Sequence, residues 1–291
     1  MNVLSTRNPL FTLLAIFIVF RFPVITNAQS DSASFIYPSS LINLQDIGFS
    51  GDATSSGDTL HLTRRDEHGN PLPHRAGRAV YSQPVHIWDA ATGDLADFTT
   101  IFCFSVNRSD SVLHGDGFAF FMAPLDSAIP NNSTGGLLGL YIPETAMEDN
   151  INASSHSEPQ VVAVEFDSFA NEWDPNPFSE FPHVGINVNS VRSETTVGWP
   201  ITYFEPHRAI VRARVRYDSG EKELLVMVSY PGNDNADADV CLSHVVDLRS
   251  VVPEWVMVGF SGSTGDLVEA NDILFWSFKS SLRKTTLKEE N

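Results

Sequence analysis

The chain is poor in positive charge, in cysteine, in long apolar runs and in helical periodicity, and each shortage removes a class of protein. Eighteen Lys and Arg stand against thirty-six Asp and Glu, a formal net charge of −18. No basic stripe runs along the sequence, which excludes nucleic acid as a partner and disfavours anionic membrane surfaces. Only two cysteines occur, Cys103 and Cys241, and their spacing is no metal motif. Each sits in an apolar, strand-like run, so two buried free thiols and one disulfide are both open. The longest apolar run, residues 10–20 (LFTLLAIFIVF), falls short of the roughly 20 residues needed to cross a bilayer. With Arg7 before it and the small residues Thr26 and Ala28 after it, it reads as a signal peptide over residues 1–28. That predicts the secretory pathway and a mature protein without a membrane span.

What is present is a series of short strand signals separated by turns. Twenty Phe and many scattered Gly and Pro accompany them. Residues 79–88, 98–106, 117–123, 161–169, 183–191 and 255–261 each read as a strand. Residues 210–230 read as a hairpin. Val211, Ala213, Val215 and Tyr217 alternate with Arg212, Arg214 and Arg216, then Asp218-Ser219-Gly220 turns the chain. Such alternation belongs to an antiparallel sheet with one wet face. No linker or internal repeat divides the chain. The expectation is an all-β protein, a large β-sandwich or jelly roll of antiparallel sheets, as one domain over residues 29–280 with a polar tail at 281–291. Sequons stand at Asn107, Asn131, Asn132 and Asn152, the middle two overlapping.

The densest chemistry lies in VVAVEFDSFANEWDPNPFSEFPH, residues 161–183. Glu165 and Asp167 are two apart on a strand and project from one face. Asn171, Asp174 and His183 follow. A solvated acidic face is the bland reading, but the strand before Glu165 is wholly apolar. Glycoside hydrolysis needs a second carboxylate partner, and Phe169 or Ala170 stands where it would fall. A two-metal site remains. His with carboxylates suits a transition ion such as manganese, and carboxylates with an amide and a carbonyl suit calcium.

The segment VAVEFDSFANEWDP closely resembles the metal-binding signature of the legume lectins. HVGINVNSV resembles the strand that follows it. The stretch from Ala79 to Val106 (AVYSQPVHIWDAATGDLADFTTIFCFSV) also matches, as do HGDGFAFFMAP, GGLLGLY, VVPEWVMVGFSGSTG and NDILFWSF, in the family's order. The resemblance spans about residues 34–280 and implies a non-catalytic, sugar-binding protein of the jelly-roll type. It implies a manganese site of Glu165, Asp167, Asp174 and His183, with Ser190 reaching it through water. It implies a calcium site of Asp167, Asn171, Asp174 and the Phe169 carbonyl. For the carbohydrate it implies Asp116, preceded by a cis peptide, with Gly136, Phe169 and Asn171. Backbone N–H groups of Asp266 and Leu267 join them from a variable loop.

That loop, DLVEAND after Thr264-Gly265, has the short length usual in mannose/glucose binders of the family. The resemblance therefore implies a mannose- or glucose-containing glycan or glycoprotein as partner, with galactose or N-acetylgalactosamine as the alternative. A storage or defence relative without sugar binding is the other alternative. It also implies a secreted or vacuolar location and a homodimer or homotetramer. Asn187 stands where the family usually has Asp, and the segment from Asp174 to His183 is longer than in several relatives.

Overall fold

The computed structural model describes residues 31–39, 44–108, 113–143, 160–174, 182–199, 210–230 and 240–283. The signal-peptide segment, Asn152 and most of the polar tail lie outside them. Sixteen strands occur among the described residues: β1 Ser32–Tyr37, β2 Ile47–Gly51, β3 Thr54–Ser56, β4 Thr59–His61, β5 Arg75–Tyr81, β6 Val85–His86, β7 Ala96–Asn107, β8 Gly117–Pro124, β9 Val162–Asp167, β10 His183–Val188, β11 Ser193–Gly198, β12 Ile210–Asp218, β13 Glu223–Ser229, β14 Val240–Val245, β15 Trp255–Thr264 and β16 Ala270–Leu282. They form two antiparallel sheets. The back sheet runs β14-β13-β12-β7-β16-β4-β3, with β1 also on β16; the front sheet runs β11-β10-β9-β8-β15-β5-β2, with β6 also on β15. The expected all-β sandwich is observed.

Two hydrophobic patterns distinguish the sheets. In β12 the burial alternates strictly, with Val211, Ala213, Val215 and Tyr217 inside and the three arginines outside. Its outer face meets water, so every second residue is polar. In β8 and β9 nearly every residue is buried. Both faces of the front sheet are covered there, and an unbroken apolar run results. The inner face packs on an aromatic core that includes Phe102, Phe104, Phe118, Phe166, Phe260 and Trp276. Phe118 and Phe166 stack at 4.9 Å, and Phe104 meets Phe166 edge-on at 4.9 Å. Such pairs add about 0.5–1.5 kcal/mol beyond burial. The outer face is covered by residues 137–141, whose Leu137, Leu138, Leu140 and Tyr141 pack on Ala119, Phe121 and Ala163.

Three expectations are corrected by these elements. Residues 79–88 are not one strand: β5 ends at Tyr81 and β6 holds only Val85 and His86. Pro84, which has no N–H to give a ladder, lies in the break. Strand β16 continues to Leu282, pairing Ser281 with Asp97 and Ser32, so the tail begins later than residue 281. Both cysteines are free, but neither is buried: Cys103 is half-buried and Cys241 exposed. They lie on the outward-facing positions of β7 and β14. Asn131 and Asn132 are exposed, and Asn107 is half-buried at the end of β7.

Candidate functional site

One end of the front sheet gathers the polar groups. Gly117, the first residue of β8, pairs with Asp167 at the end of β9 and with Ser263 near the end of β15. His183, the first residue of β10, also pairs with Asp167. These pairings bring Asp116, the loop after β9, the loop after β15 and the start of β10 to one place.

On β9 and β10, a ligand-capable atom from each of Glu165, Asp167 and His183 lies within 4.8 Å of the others. All three residues are buried. Glu165 Oε1 is 3.0 Å from His183 Nε2. Asn187 Nδ2 donates to Glu165 Oε2 at 2.8 Å and to the Val191 carbonyl at 3.0 Å. The Ser193 hydroxyl donates to Glu165 and lies 2.9 Å from Asn187 Oδ1. Gly185, opposite Glu165, carries no side chain because a Cβ there would fall 2.6 Å from Oε1. Asn187 is fully buried. Where an aspartate would set a second negative charge beside Glu165, its amide donates a hydrogen bond.

Asp174 stands beside this trio. Its carboxylate accepts the Asn171 N–H, and its pKa is pushed up to about 6, chiefly by burial. Burial also holds Asp167 well above the ordinary carboxylate range, reinforced by the charges of Asp174 and Glu165. Asp167 Oδ1 accepts the Phe169 N–H at 2.7 Å, folding the loop back on the strand end. Buried carboxylates that crowd one another lack positive charge, and a divalent cation supplies it. The donor set of carboxylates, one imidazole and one amide suits such an ion. The buried Asn171 Oδ1 has no hydrogen-bond partner among the described residues, as a metal or ligand position would leave it.

The second half of the site is Asp116. The Gly115–Asp116 peptide is cis. The Asp116 carbonyl accepts the Ser168 N–H at 2.9 Å, and its carboxylate accepts the Gly265 N–H. Its Oδ2 is buried without a partner among the described residues. Burial, then the charge of Glu269, raises its pKa to about 7. Phe169 packs on Gly115, where a Cβ would meet its own Cβ at 2.9 Å. Gly136 abuts the Asn171 amide so closely that a Cβ there would overlap its Oδ1. Asp116, Gly136, Phe169 and Asn171 are thus assembled around one small space.

Loop 265–269 borders it. Gly265 is tied to Asp116 at one end. At the other, Glu269 is fully buried, 2.8 Å from His114 Nδ1 and bonded by Asn271 Nδ2 at 3.0 Å. Asp266, Leu267 and Val268 are the exposed or half-exposed tip. The Asp266 side chain points to His74, 3.2 Å away.

Ser190, expected beside the metal, instead caps a turn, accepting the Arg192 N–H at 3.0 Å. The hydroxyl at Glu165 is that of Ser193. A bulge between Ile186 and Asn187 sets Ser193, not Glu194, opposite Asn187, and so onto Glu165's face. Asn187 was visible in the sequence only as a departure from a motif, and His114 and Glu269 gave no sequence signal, since only the fold brings them together.

The legume lectin domain model matches residues 32–291. Lectin 10 of Medicago truncatula is 45% identical, over 97% of this chain and 99% of its own length. The seed lectin of Lotus tetragonolobus superposes with a TM-score of 0.73 at 35% identity, covering 87% of this chain and all of its own. The lectin of Bauhinia forficata, solved in complex with GalNAc, superposes with a TM-score of 0.71 at 39% identity and the same coverage. The chain belongs to the legume lectin family, whose members bind carbohydrate without catalysis.

Proposed function

We propose that this chain is a calcium- and manganese-dependent lectin for mannose- or glucose-containing glycans. The observation that carries the reading is the pair of buried, unpartnered oxygens, Asp116 Oδ2 and Asn171 Oδ1, beside a loop of only five residues between β15 and β16. The Asp116 carboxylate accepts two sugar hydroxyls, the Asn171 amide and the Gly136 N–H donate, and Phe169 offers an apolar face to the ring. Glu165, Asp167, Asp174 and His183 would hold manganese; Asp167, Asn171, Asp174 and the Phe169 carbonyl would hold calcium. Bound calcium supplies fixed charge that orders Asn171 before the sugar arrives, so less ordering entropy opposes binding. Because the loop is anchored at Gly265 and Glu269, the backbone N–H groups of Asp266 and Leu267 approach the sugar closely.

Calorimetric titration tests this directly. Millimolar-range binding of methyl α-mannoside that disappears on chelation is the expected result. Binding of galactose in its place supports a galactose-type site, the reading favoured by the GalNAc complex of the Bauhinia relative. Binding of neither sugar by metal-loaded protein moves the chain to the storage or defence class. Gly136→Ala pushes Asn171 away and lowers mannoside affinity about tenfold, the worth of one hydrogen bond, with the melting temperature little changed.

The apolar run at residues 10–20 and the exposed Asn131 and Asn132 support a secreted or vacuolar glycoprotein. No helix among the described residues is long and apolar enough to cross a membrane. Assembly into homodimers or homotetramers would make the binding multivalent.

A further inference from the structure

A second cluster of metal-capable side chains lies at the opposite end of β15. His86 pairs with Trp255, eight residues, or about 27 Å of extended strand, from the Ser263 end. The imidazole lies flat on the Trp255 indole, with centroids 4.0 Å apart and planes 3° apart. This fixes the direction of both ring nitrogens. The ring is only 6% exposed. Nε2 faces Glu254 Oε1 at 3.5 Å; Nδ1 faces Asp31 Oδ1 at 3.7 Å, and among the described residues it has no hydrogen-bond partner. Asp89 completes the cluster, with ligand-capable atoms of His86, Asp89 and Glu254 all within 4.8 Å of one another. Backbone groups hold both acids in place. Asp89 Oδ1 accepts the Ala91 and Thr92 N–H at 3.0 and 2.7 Å, and Glu254 Oε1 accepts the Ala90 N–H at 2.9 Å.

Separations of 3.5 and 3.7 Å are long for hydrogen bonds. They are close to the edge of a coordination shell: ligands about 2.0–2.1 Å from zinc at tetrahedral angles stand about 3.3–3.4 Å apart. A metal-bound histidine also directs its other ring nitrogen at a carboxylate, and Asp31 occupies that position. We propose that His86, Asp89 and Glu254 bind a transition-metal dication of the zinc type, with Asp31 as a positioning residue that orients the imidazole. The site is separate from the Glu165 centre and does not depend on which sugar the chain binds.

Equilibrium dialysis of the full chain, first loaded with calcium and manganese and then exposed to zinc, tests it. The expected result is one further zinc ion per chain. His86→Phe keeps a ring on Trp255 and should lose that zinc, as should the double variant Asp89→Asn/Glu254→Gln; thermal unfolding shows whether each is folded. Asp31→Asn should weaken zinc binding about 10–100-fold. Full retention of the extra zinc in folded His86→Phe overturns the proposal. So does its loss in Glu165→Gln, which would place the ion in the other centre. Failure of the native protein to take up extra zinc also overturns it and leaves His86 as a cation among three acids. Unchanged affinity in Asp31→Asn removes Asp31 from the site.

Discussion

Asp116→Asn abolishes mannoside binding while the protein stays folded. The substitution is nearly isosteric, so the packing of residue 116 against Ser168 and Gly265 survives. What is lost is a charged acceptor. Two hydrogen bonds to a carboxylate are worth about 1.5–3 kcal/mol each, so affinity falls more than about 100-fold, below calorimetric detection for a millimolar ligand. Stability moves the other way. The Asp116 pKa is raised to about 7 by burial. A carboxyl whose folded-state pKa lies above its unfolded value favours the fold while protonated and loses that contribution as pH rises through the folded value. In metal-free protein above pH 7, the neutral asparagine therefore melts at or above the wild-type temperature. A variant that binds mannoside with unchanged affinity would remove Asp116 from the sugar site; one that unfolds would show that residue 116 needs its charge for structure.

Removing metal destabilises the protein, and more so at higher pH. Asp167 and Asp174 both have raised pKa values, the latter to about 6. Without a cation, stability falls as pH rises from about 4 through about 6 and beyond, because both groups must ionise where burial and each other's charge oppose it. Metal ligands must be deprotonated, so affinity for the ion rises over the same range. Metal at a hundredfold excess over its dissociation constant adds about 2.7 kcal/mol, or about 5–10 °C for a domain of this size. Melting curves with and without chelator between pH 4 and 8 should separate progressively. Curves that coincide at pH 8 would mean that these carboxylates hold no ion.

The fold was legible because its signals are local. Alternation in residues 211–217 marks a one-sided strand, and the Glu-x-Asp pair on an apolar strand marks a polar cluster rooted in a core. Residues whose partners come from other strands were harder to read. Ser193 reaches Glu165 only because a bulge changes which residue faces Asn187, and period-two counting does not register that extra residue. Glu269 and His114 are 155 positions apart. The exposure of Cys241 depended on which face of β14 turned outward, and a short apolar run does not show that by itself.

The contacts around Asp116 join distant parts of the chain. Ser168 is 52 positions away, Gly135 and Ser263 are themselves tied across 128, and the Gly265 N–H comes from the far end of the domain. The first described strand pairs with the last, Ser32 opposite Ser281. Contacts this remote form late, since closing long loops precedes the gain from pairing them. Recognition of a sugar is therefore a report on completed folding. During refolding, binding competence should lag behind burial of the aromatic core, and a chain that ends before β16 should pass through a sugar column unretained.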